Sequence, residues 1–274
     1  MRSICLIFVL ALACLGQAAG ATESPLRQLQ TANDDKGWEG VGRLNLGNHG
    51  FCTGALIAPD LVLTAAHCVF DKATGKQLDV GGIEFLAGLR NGRAEAYRGV
   101  REGVVHPRYR YEDPDRINRV AYDLALLRLE RPIRLPGVTP FATAPRPRKG
   151  DEVAVVSYAQ DRAEAPALQD VCHMLAGRPG ILMLSCKVNF GSSGSPVFIF
   201  RNGTPEIVAI VSSKAEVEGK QVALSSSLDA TLAMMKSRLD QGIGVFGRSS
   251  PFARLFSGDG ARSTDEGGAK FVRP

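Results

Sequence analysis

The stretch CTGALIAPDLVLTAAHC, residues 52–68, contains the features that decide the fold. Apolar runs at 51–57 and 61–64 have the length and composition of β-strands, and a turn containing a proline separates them. His67 follows the second run directly, and cysteines stand at both ends of the stretch, sixteen positions apart. A histidine after a strand can be an ordinary turn residue, so its meaning depends on the rest of the chain.

Most of the chain repeats this pattern of short strands and turns. Further apolar runs lie at 42–46, 83–88, 124–129, 153–158, 181–185, 196–200, 206–212 and 221–225. Many short strands at this spacing, with almost no helical period, predict an all-β sandwich or barrel. A proline-rich crossing at 131–151 predicts a linker between two β units. The exception is 227–239, where apolar residues recur at helical spacing behind Ser227 and predict a C-terminal helix.

The two ends of the chain differ from its middle. Residues 1–20 contain an early arginine, an apolar run and then small residues, which predicts a secretory signal peptide, with a membrane or lipid anchor as the alternative. We therefore expect export to a periplasm or the extracellular space and no membrane span. Residues 21–37 predict a propeptide or a flexible lead, and residues 241–274 predict a flexible tail.

The cysteines left after the signal peptide are Cys52, Cys68, Cys172 and Cys186. An even number in an exported chain indicates two disulfides, and of the three pairings the sequential one closes the shortest loops. Zinc binding is the alternative, but the chain has no Cys-x-x-Cys pair and His67 adjoins a cysteine too closely for simple ligand spacing. The formal net charge of +5 comes from scattered lysines and arginines, so we expect no nucleic-acid partner.

Two further motifs accompany His67. AYDLALLRL places Asp123 at the mouth of an apolar strand, and GSSGSP, residues 191–196, opens another strand. Alone, each has an ordinary explanation as a strand end or a loop. Together, in the order His, Asp, Ser and with the cysteine spacing around the histidine, they resemble the chymotrypsin-like serine peptidases.

This resemblance covers about residues 38–240 and implies a fold. The expected architecture is two perpendicular six-stranded antiparallel β-barrels, with the active site between them and a C-terminal helix. It places the N-barrel at about 38–135, the C-barrel at about 150–226 and the helix at 227–239. It also implies the disulfide Cys52–Cys68, and under sequential pairing the second disulfide is Cys172–Cys186.

The resemblance implies a role for each motif residue as well. Ser193 is the expected nucleophile, His67 its general base and later general acid, and Asp123 the carboxylate that orients the imidazole. Backbone N–H groups of Gly191 and Ser193 are expected to form the oxyanion hole. The predicted activity is hydrolysis of protein or peptide substrates by a monomer, without a metal or an organic cofactor. A non-catalytic binding or adhesion module of the same fold is the alternative.

Some positions depart from the family's usual pattern. Ser192 stands where many members have an aspartate that pairs with a newly cut amino terminus, which predicts that this chain does not use that activation switch. A basic cleavage site after Lys36 keeps an inhibitory propeptide open as an alternative. The motif GSSGSP is closer to that of the bacterial glutamyl-endopeptidase-like branch.

The resemblance also indicates three substrate-binding residues. Lys187, six positions before the nucleophile, falls at the expected base of the pocket, where it would disfavour basic substrates and favour acidic ones, although a surface position is the alternative. Ser212 matches the strand that pairs with the substrate backbone, and Lys214 matches a pocket wall. For residues 106–122, before Asp123, a solvated insertion is favoured over a loop that faces substrate.

Overall fold

A computed structural model describes residues 23–228 and 231–247. The strands are β1 (Arg27–Gln28), β2 (Val41–Asn45), β3 (Phe51–Ala58), β4 (Leu61–Thr64), β5 (Glu84–Ala87), β6 (Ala96–Val105), β7 (Ala125–Leu129), β8 (Ala142–Thr143), β9 (Glu152–Ala159), β10 (Arg162–Arg178), β11 (Ile181–Leu184), β12 (Pro196–Arg201), β13 (Thr204–Val217), β14 (Lys220–Ser227) and β15 (Val245–Gly247). The helices are α1 (Ala32–Asp35), α2 (Arg116–Ala121) and α3 (Thr231–Asp240).

The first half of the chain forms a closed six-stranded antiparallel barrel. Its strands follow the order β6–β5–β2–β3–β4–β7, and β7 pairs again with β6 to close it. Apolar side chains that alternate along these strands, such as Leu44, Leu63, Phe85 and Leu126, are fully buried inside. Burial of one face of each strand fixes the register, because a slip by one residue would turn that face to solvent.

The second half repeats this arrangement. The order β10–β11–β14–β13–β12–β9 closes by pairing of β9 with β10, and β8, within the proline-rich crossing, adds to β13 in parallel. The all-β prediction with two six-stranded barrels and a C-terminal helix is therefore confirmed. Trp38 packs against Phe198 and Phe200 of the second barrel and Phe141 of the crossing.

The C-terminal helix differs from its predicted span of 227–239. Ser227 is not the helix cap but the last residue of β14, where it pairs with Ala209, and α3 begins at Thr231 in the described part. The buried ridge agrees with the periodicity, since Leu232, Met235 and Leu239 face the core. The helical spacing located the face correctly, whereas strand pairing decided the boundary.

The predicted lead and tail are more ordered than their composition suggested. In the lead, β1 pairs with β10, Leu29 is fully buried, and Asp35 forms an ion pair with Arg90 at 3.0 Å. In the tail, β15 adds to β6 at the edge of the first barrel. The predicted signal peptide, residues 1–20, and the tail from 248 onward lie outside the described residues. Within the described ranges, every helix is too short or too polar to cross a membrane.

Candidate active site

A buried carboxylate holds the ring of His67. Asp123 Oδ2 lies 2.7 Å from His67 Nδ1, and Asp123 Oδ1 accepts the His67 backbone N–H at 2.8 Å. Ser212 Oγ donates to the same carboxylate at 2.5 Å. Since a carboxylate only accepts hydrogen bonds, the imidazole carries its proton on Nδ1 and leaves Nε2 as a base.

The first barrel brings these two residues together. Antiparallel pairing of β4 with β7 sets Thr64 opposite Ala125, so the end of one strand lies beside the start of the other. His67 follows Thr64 in a short 3₁₀ turn, and Asp123 precedes β7. A disulfide between Cys52 and Cys68 joins this turn to β3. The arrangement therefore follows from strand register and needs no long loop.

The second barrel contributes Ser193, which lines a cavity of about 280 Å³ together with His67. Ser193 is half-buried, while its neighbours Ser192 and Ser195 are fully buried. Of the three serines in the motif, only Ser193 lines this cavity. The geometry therefore places Ser193, rather than Ser192 or Ser195, in the same cavity as the imidazole.

The Ser193 loop, residues 189–195, has its carbonyl groups turned away from the cavity. Each of the five from Asn189 to Ser193 accepts a hydrogen bond, two of them from the loop itself and three from Gln160 or Thr53 outside it. The donors are Ser192 N to Asn189 O at 2.9 Å, Gln160 N to Phe190 O at 2.8 Å, Thr53 Oγ1 to Gly191 O at 3.0 Å, Ser195 N to Ser192 O at 3.1 Å and Thr53 N to Ser193 O at 2.8 Å.

Among the N–H groups of residues 189–195, only those of Gly191 and Ser193 donate to no described residue. In a trans peptide the C=O and N–H groups point in opposite directions. Since Phe190 O points to Gln160, the N–H of Gly191 points the other way. Two preorganised donors beside a nucleophile are what an oxyanion requires.

Glycine is required at two positions of the Ser193 loop. Gly191 has φ +95° and Gly194 has φ +79°, where L side chains are strained. A Cβ on Gly194 would lie 2.2 Å from both the carbonyl oxygen of Thr53 and the hydroxyl of Thr64. The loop therefore packs directly on the backbone of the first barrel.

A larger cavity, about 770 Å³, extends from His67 along the cleft. The segment 106–122 contributes much of its wall, including Tyr109, Tyr111 and several residues of α2. The segment therefore faces the cleft, as the alternative interpretation expected, while residues 107, 108, 110, 112 and 114–117 are exposed to solvent, as the favoured one expected. Tyr111 stacks on the Phe70 ring at a centroid distance of 5.4 Å and Tyr109 packs against it in a tilted arrangement at 5.6 Å, which holds the loop in place.

The three predicted substrate-binding residues have different positions. Ser212 bonds Asp123, and Lys214 lines both cavities, with its Nζ 4.6 Å from the centroid of the Phe190 ring. Lys187 is exposed and lines neither cavity, and its backbone N–H donates to Gln169 Oε1. The prediction for Lys187 is thus not supported by the geometry, because Val188, whose side chain lies on the opposite side of this extended segment, takes the cavity wall.

Both predicted disulfides are present in the structure, Cys52–Cys68 and Cys172–Cys186. Cys52 and Cys68 also lie close to His67 in a group that could hold a metal ion. Their sulfur atoms are bonded to each other, so they offer no thiolate to a metal.

Several residues at the cleft could not be predicted from sequence motifs. Lys72 and Phe190 line the smaller cavity, and Gln160 and Thr53 support the Ser193 loop from outside it. Gln160 acts through its backbone N–H, which no sequence motif records. Lys72, five positions after His67, is the one whose position near the histidine could have drawn attention.

The class of chymotrypsin-like serine peptidases is defined by a carboxylate–imidazole pair, a serine in the same cavity and two free N–H donors, between two β-barrels. The family model of the trypsin-like peptidase domain matches residues 52–210, more than half of the chain. The chain belongs to this family.

Similar proteins include several proteases. A glutamyl endopeptidase of Bacillus licheniformis is 27% identical over 150 residues, covering 54% of this chain and 45% of that protein. Human chymotrypsin-like elastase family member 1 is 36% identical over 95 residues, covering 35% of this chain and 34% of that protein. The chain thus spans less than half the length of these relatives.

A solved structure of a Glu endopeptidase in complex with MPD resembles most of the described fold. Its TM-score is 0.64 with 18% sequence identity, and the match covers 78% of this chain and 97% of that one. At this identity the likeness establishes the fold alone. The glutamyl-endopeptidase branch is nevertheless common to the sequence match and the structural match.

Proposed function

We propose that this protein is a secreted or periplasmic serine endopeptidase that hydrolyses peptide bonds through an acyl-enzyme on Ser193. The observation that carries this proposal is the 2.7 Å contact between His67 Nδ1 and Asp123 Oδ2, with Ser193 in the same cavity as the imidazole. The two disulfides agree with an oxidising compartment.

In the first step, Ser193 Oγ attacks the carbonyl carbon of the scissile bond and its proton passes to His67 Nε2. The carbonyl oxygen becomes an oxyanion and accepts hydrogen bonds from the N–H groups of Gly191 and Ser193. As the C–N bond breaks, Nε2 returns the proton to the leaving amine. A water molecule then attacks the acyl-enzyme by the same proton path and releases Ser193.

The carboxylate of Asp123 serves this cycle by orienting the ring and stabilising the imidazolium. Asp123 is 2% exposed, so its charge acts through a medium of low polarity and is screened little by water. The hydroxyl of Ser212 donates to one of its oxygens, which helps to hold the carboxylate in position beside His67.

One edge of β13 offers a place for an extended substrate. Strand β12 pairs with β13 only as far as Ile210, while β14 covers the opposite edge up to Val217. The edge from Ser212 onward therefore has no strand partner in the described part of the chain, and Ser213, Lys214 and Ala215 line the larger cavity there. A peptide that adds to this edge would gain main-chain hydrogen bonds without regard to its sequence.

The charges of the smaller cavity give a first indication of specificity. Lys72 and Lys214 line it, and no described carboxylate does. A lysine or arginine side chain of the substrate would lose its hydration there without gaining a partner. We therefore expect cleavage after uncharged or acidic residues and poor cleavage after basic ones.

The test is labelling of the purified, disulfide-bonded protein with a fluorophosphonate probe, followed by cleavage of a peptide library. Labelling that disappears in Ser193→Ala and persists in Ser195→Ala supports the proposal. Absence of labelling in the folded wild type, before and after limited cleavage near Lys36, would instead identify a binding module. Preferred cleavage after Lys or Arg would refute the expected specificity.

A further inference from the structure

Arg162 is a buried cation whose charge points inward. The residue is 8% exposed, and its Nη1 donates to Asp161, a side chain that is 61% exposed. Its Nη2 lies inside, 2.9 Å from Ser157 Oγ and 3.3 Å from Ser192 Oγ. Burial lowers the pKa of the guanidinium from its ordinary value, and Asp161 opposes that shift. Burying a charge against two neutral hydroxyls costs stability, so the position calls for a reason.

The position of Ser192 in the Ser193 loop supplies this reason. It stands between Gly191 and Ser193, the two residues of the loop whose N–H groups have no described acceptor. Ser192 Oγ accepts from Arg162 and also from the N–H of Asn189, at 3.3 Å each. The hydroxyl is fully buried, so these donors fix the residue that sets the orientation of both neighbouring peptide planes.

Arg162 begins β10, and the hairpin of β9 and β10 supports the Ser193 loop at a second point. Gln160, in the turn between β9 and β10, donates its backbone N–H to Phe190 O at 2.8 Å. That bond orients the peptide plane that carries the N–H of Gly191. Residues 160–162 therefore orient both peptide planes of the Ser193 loop that carry a free N–H group, those of Gly191 and Ser193.

We propose that Arg162 is a positioning residue that holds the Ser193 loop in its catalytic form, so that no newly cut amino terminus is needed to order it. This inference rests on the proposed function. The described lead agrees with it, because the lead pairs with β10 and Arg90 and lines neither cavity. In the described chain the only charged side chain bonded to Ser192 is the guanidinium of Arg162.

The experiment compares wild type, Arg162→Met and a matched control, Arg90→Met. Both variants remove a largely buried arginine, but Arg90 pairs with Asp35 and does not touch the loop. In Arg162→Met we expect kcat to fall about tenfold to 100-fold, with KM within about threefold of wild type. Guanidinium ion at low millimolar concentration should restore part of kcat. Arg90→Met should lower the melting temperature and leave kcat unchanged.

Two further measurements complete the test. Wild type carrying an uncleaved N-terminal extension should keep its kcat. Hydrogen exchange of a peptide covering residues 188–197 should show loss of protection at Ser192, Gly194 and Ser195 in Arg162→Met only, since their amides bond within the fold in the wild type. Hydrogen exchange can be measured on an inactive protein. A wild type that is neither labelled nor active would therefore refute the proposed function, while the exchange of Arg162→Met would still decide the role of Arg162.

The inference is overturned by a folded Arg162→Met with unchanged kcat and unchanged exchange, or by equal losses of kcat in both arginine variants. It is equally overturned if the N-terminal extension abolishes activity. If Arg162→Met does not fold, Ser192→Ala, which removes the acceptor and keeps the arginine, should lower kcat with KM nearly constant. Arg162→Lys keeps the positive charge but loses the planar guanidinium, so its kcat should lie between those of wild type and Ser192→Ala.

Discussion

Replacing Gly191 by alanine tests the proposed oxyanion hole at its most constrained point. Gly191 has φ +95°, and an added Cβ would lie 2.5 Å from the Phe51 ring and 2.9 Å from Ala159 Cα. The ring can move, but the backbone of Ala159 cannot easily do so. Because bonds from Gln160 and Thr53 hold the carbonyls on both sides, relief requires rotation of the peptide that carries the Gly191 N–H.

The expected fall in kcat follows from the loss of the Gly191 N–H as a hydrogen-bond donor. One oxyanion donor contributes about 100- to 1,000-fold to kcat, or about 3–4 kcal/mol of transition-state stabilisation. Substrate binding on the edge of β13 is untouched, so KM should change by less than about threefold. The assay is steady-state hydrolysis of a peptide amide, with the rate of fluorophosphonate labelling as an independent measure and the melting temperature as a check on folding.

Gly203→Ala is the matched control. Gly203 has a similar φ, +77°, and no atom lies within 4 Å of the position of its Cβ. Its substitution should cost about 1 kcal/mol of stability through backbone strain alone and leave kcat unchanged. A folded Gly191→Ala with kcat within about threefold of wild type would refute the reasoning.

Three further changes test other parts of the structure. Ser212→Ala removes a hydrogen bond to the Asp123 carboxylate, and kcat should fall about tenfold without loss of the fold. Burial lowers the pKa of His106 from 6.5 to about 4. The folded state therefore favours the neutral imidazole, and this preference contributes about 3 kcal/mol to the free energy of unfolding above pH 6.5 and is lost as the pH falls toward 4. His106→Asn should therefore flatten the dependence of melting temperature on pH in that range. Removing both Cys52 and Cys68 opens a loop with a sequence separation of 16 and should cost about 3 kcal/mol in chemical denaturation.

For each of these three changes, one outcome would contradict the prediction. Full activity of Ser212→Ala would mean that its contact does not support Asp123. An unchanged pH profile in His106→Asn would place the acid sensitivity elsewhere. A cysteine-free turn at His67 with unchanged stability would show that β4 and β7 fix the turn without the disulfide.

Strands that are short apolar runs bounded by turns could be predicted, and β4 has the predicted bounds. Strands β6 and β10 could not, because their sequences contain glycine and charged residues that do not alternate. Gly103 in β6 is present because a Cβ there would lie 2.7 Å from both Leu127 and Phe246. Pairing on both sides forms these strands against their local composition.

The catalytic candidates could be predicted from residue type and order, because proton transfer needs a base and a carboxylate whatever the fold. The supporting residues could not. Thr53 and Gln160 act largely through backbone groups, and Arg162 reaches Ser192 across 30 positions of the chain. Lys187 failed as a pocket residue because an error of one position in an extended segment reverses the side to which a side chain points.

The most direct measurement is a crystal structure of the protein after reaction with a small alkyl phosphonofluoridate. We expect phosphorus bonded to Ser193 Oγ, with the phosphonyl oxygen about 2.7–3.1 Å from the N–H groups of both Gly191 and Ser193. An adduct on another residue would contradict the assignment of the nucleophile. An adduct on Ser193 whose oxygen lies outside reach of these donors would contradict the oxyanion hole.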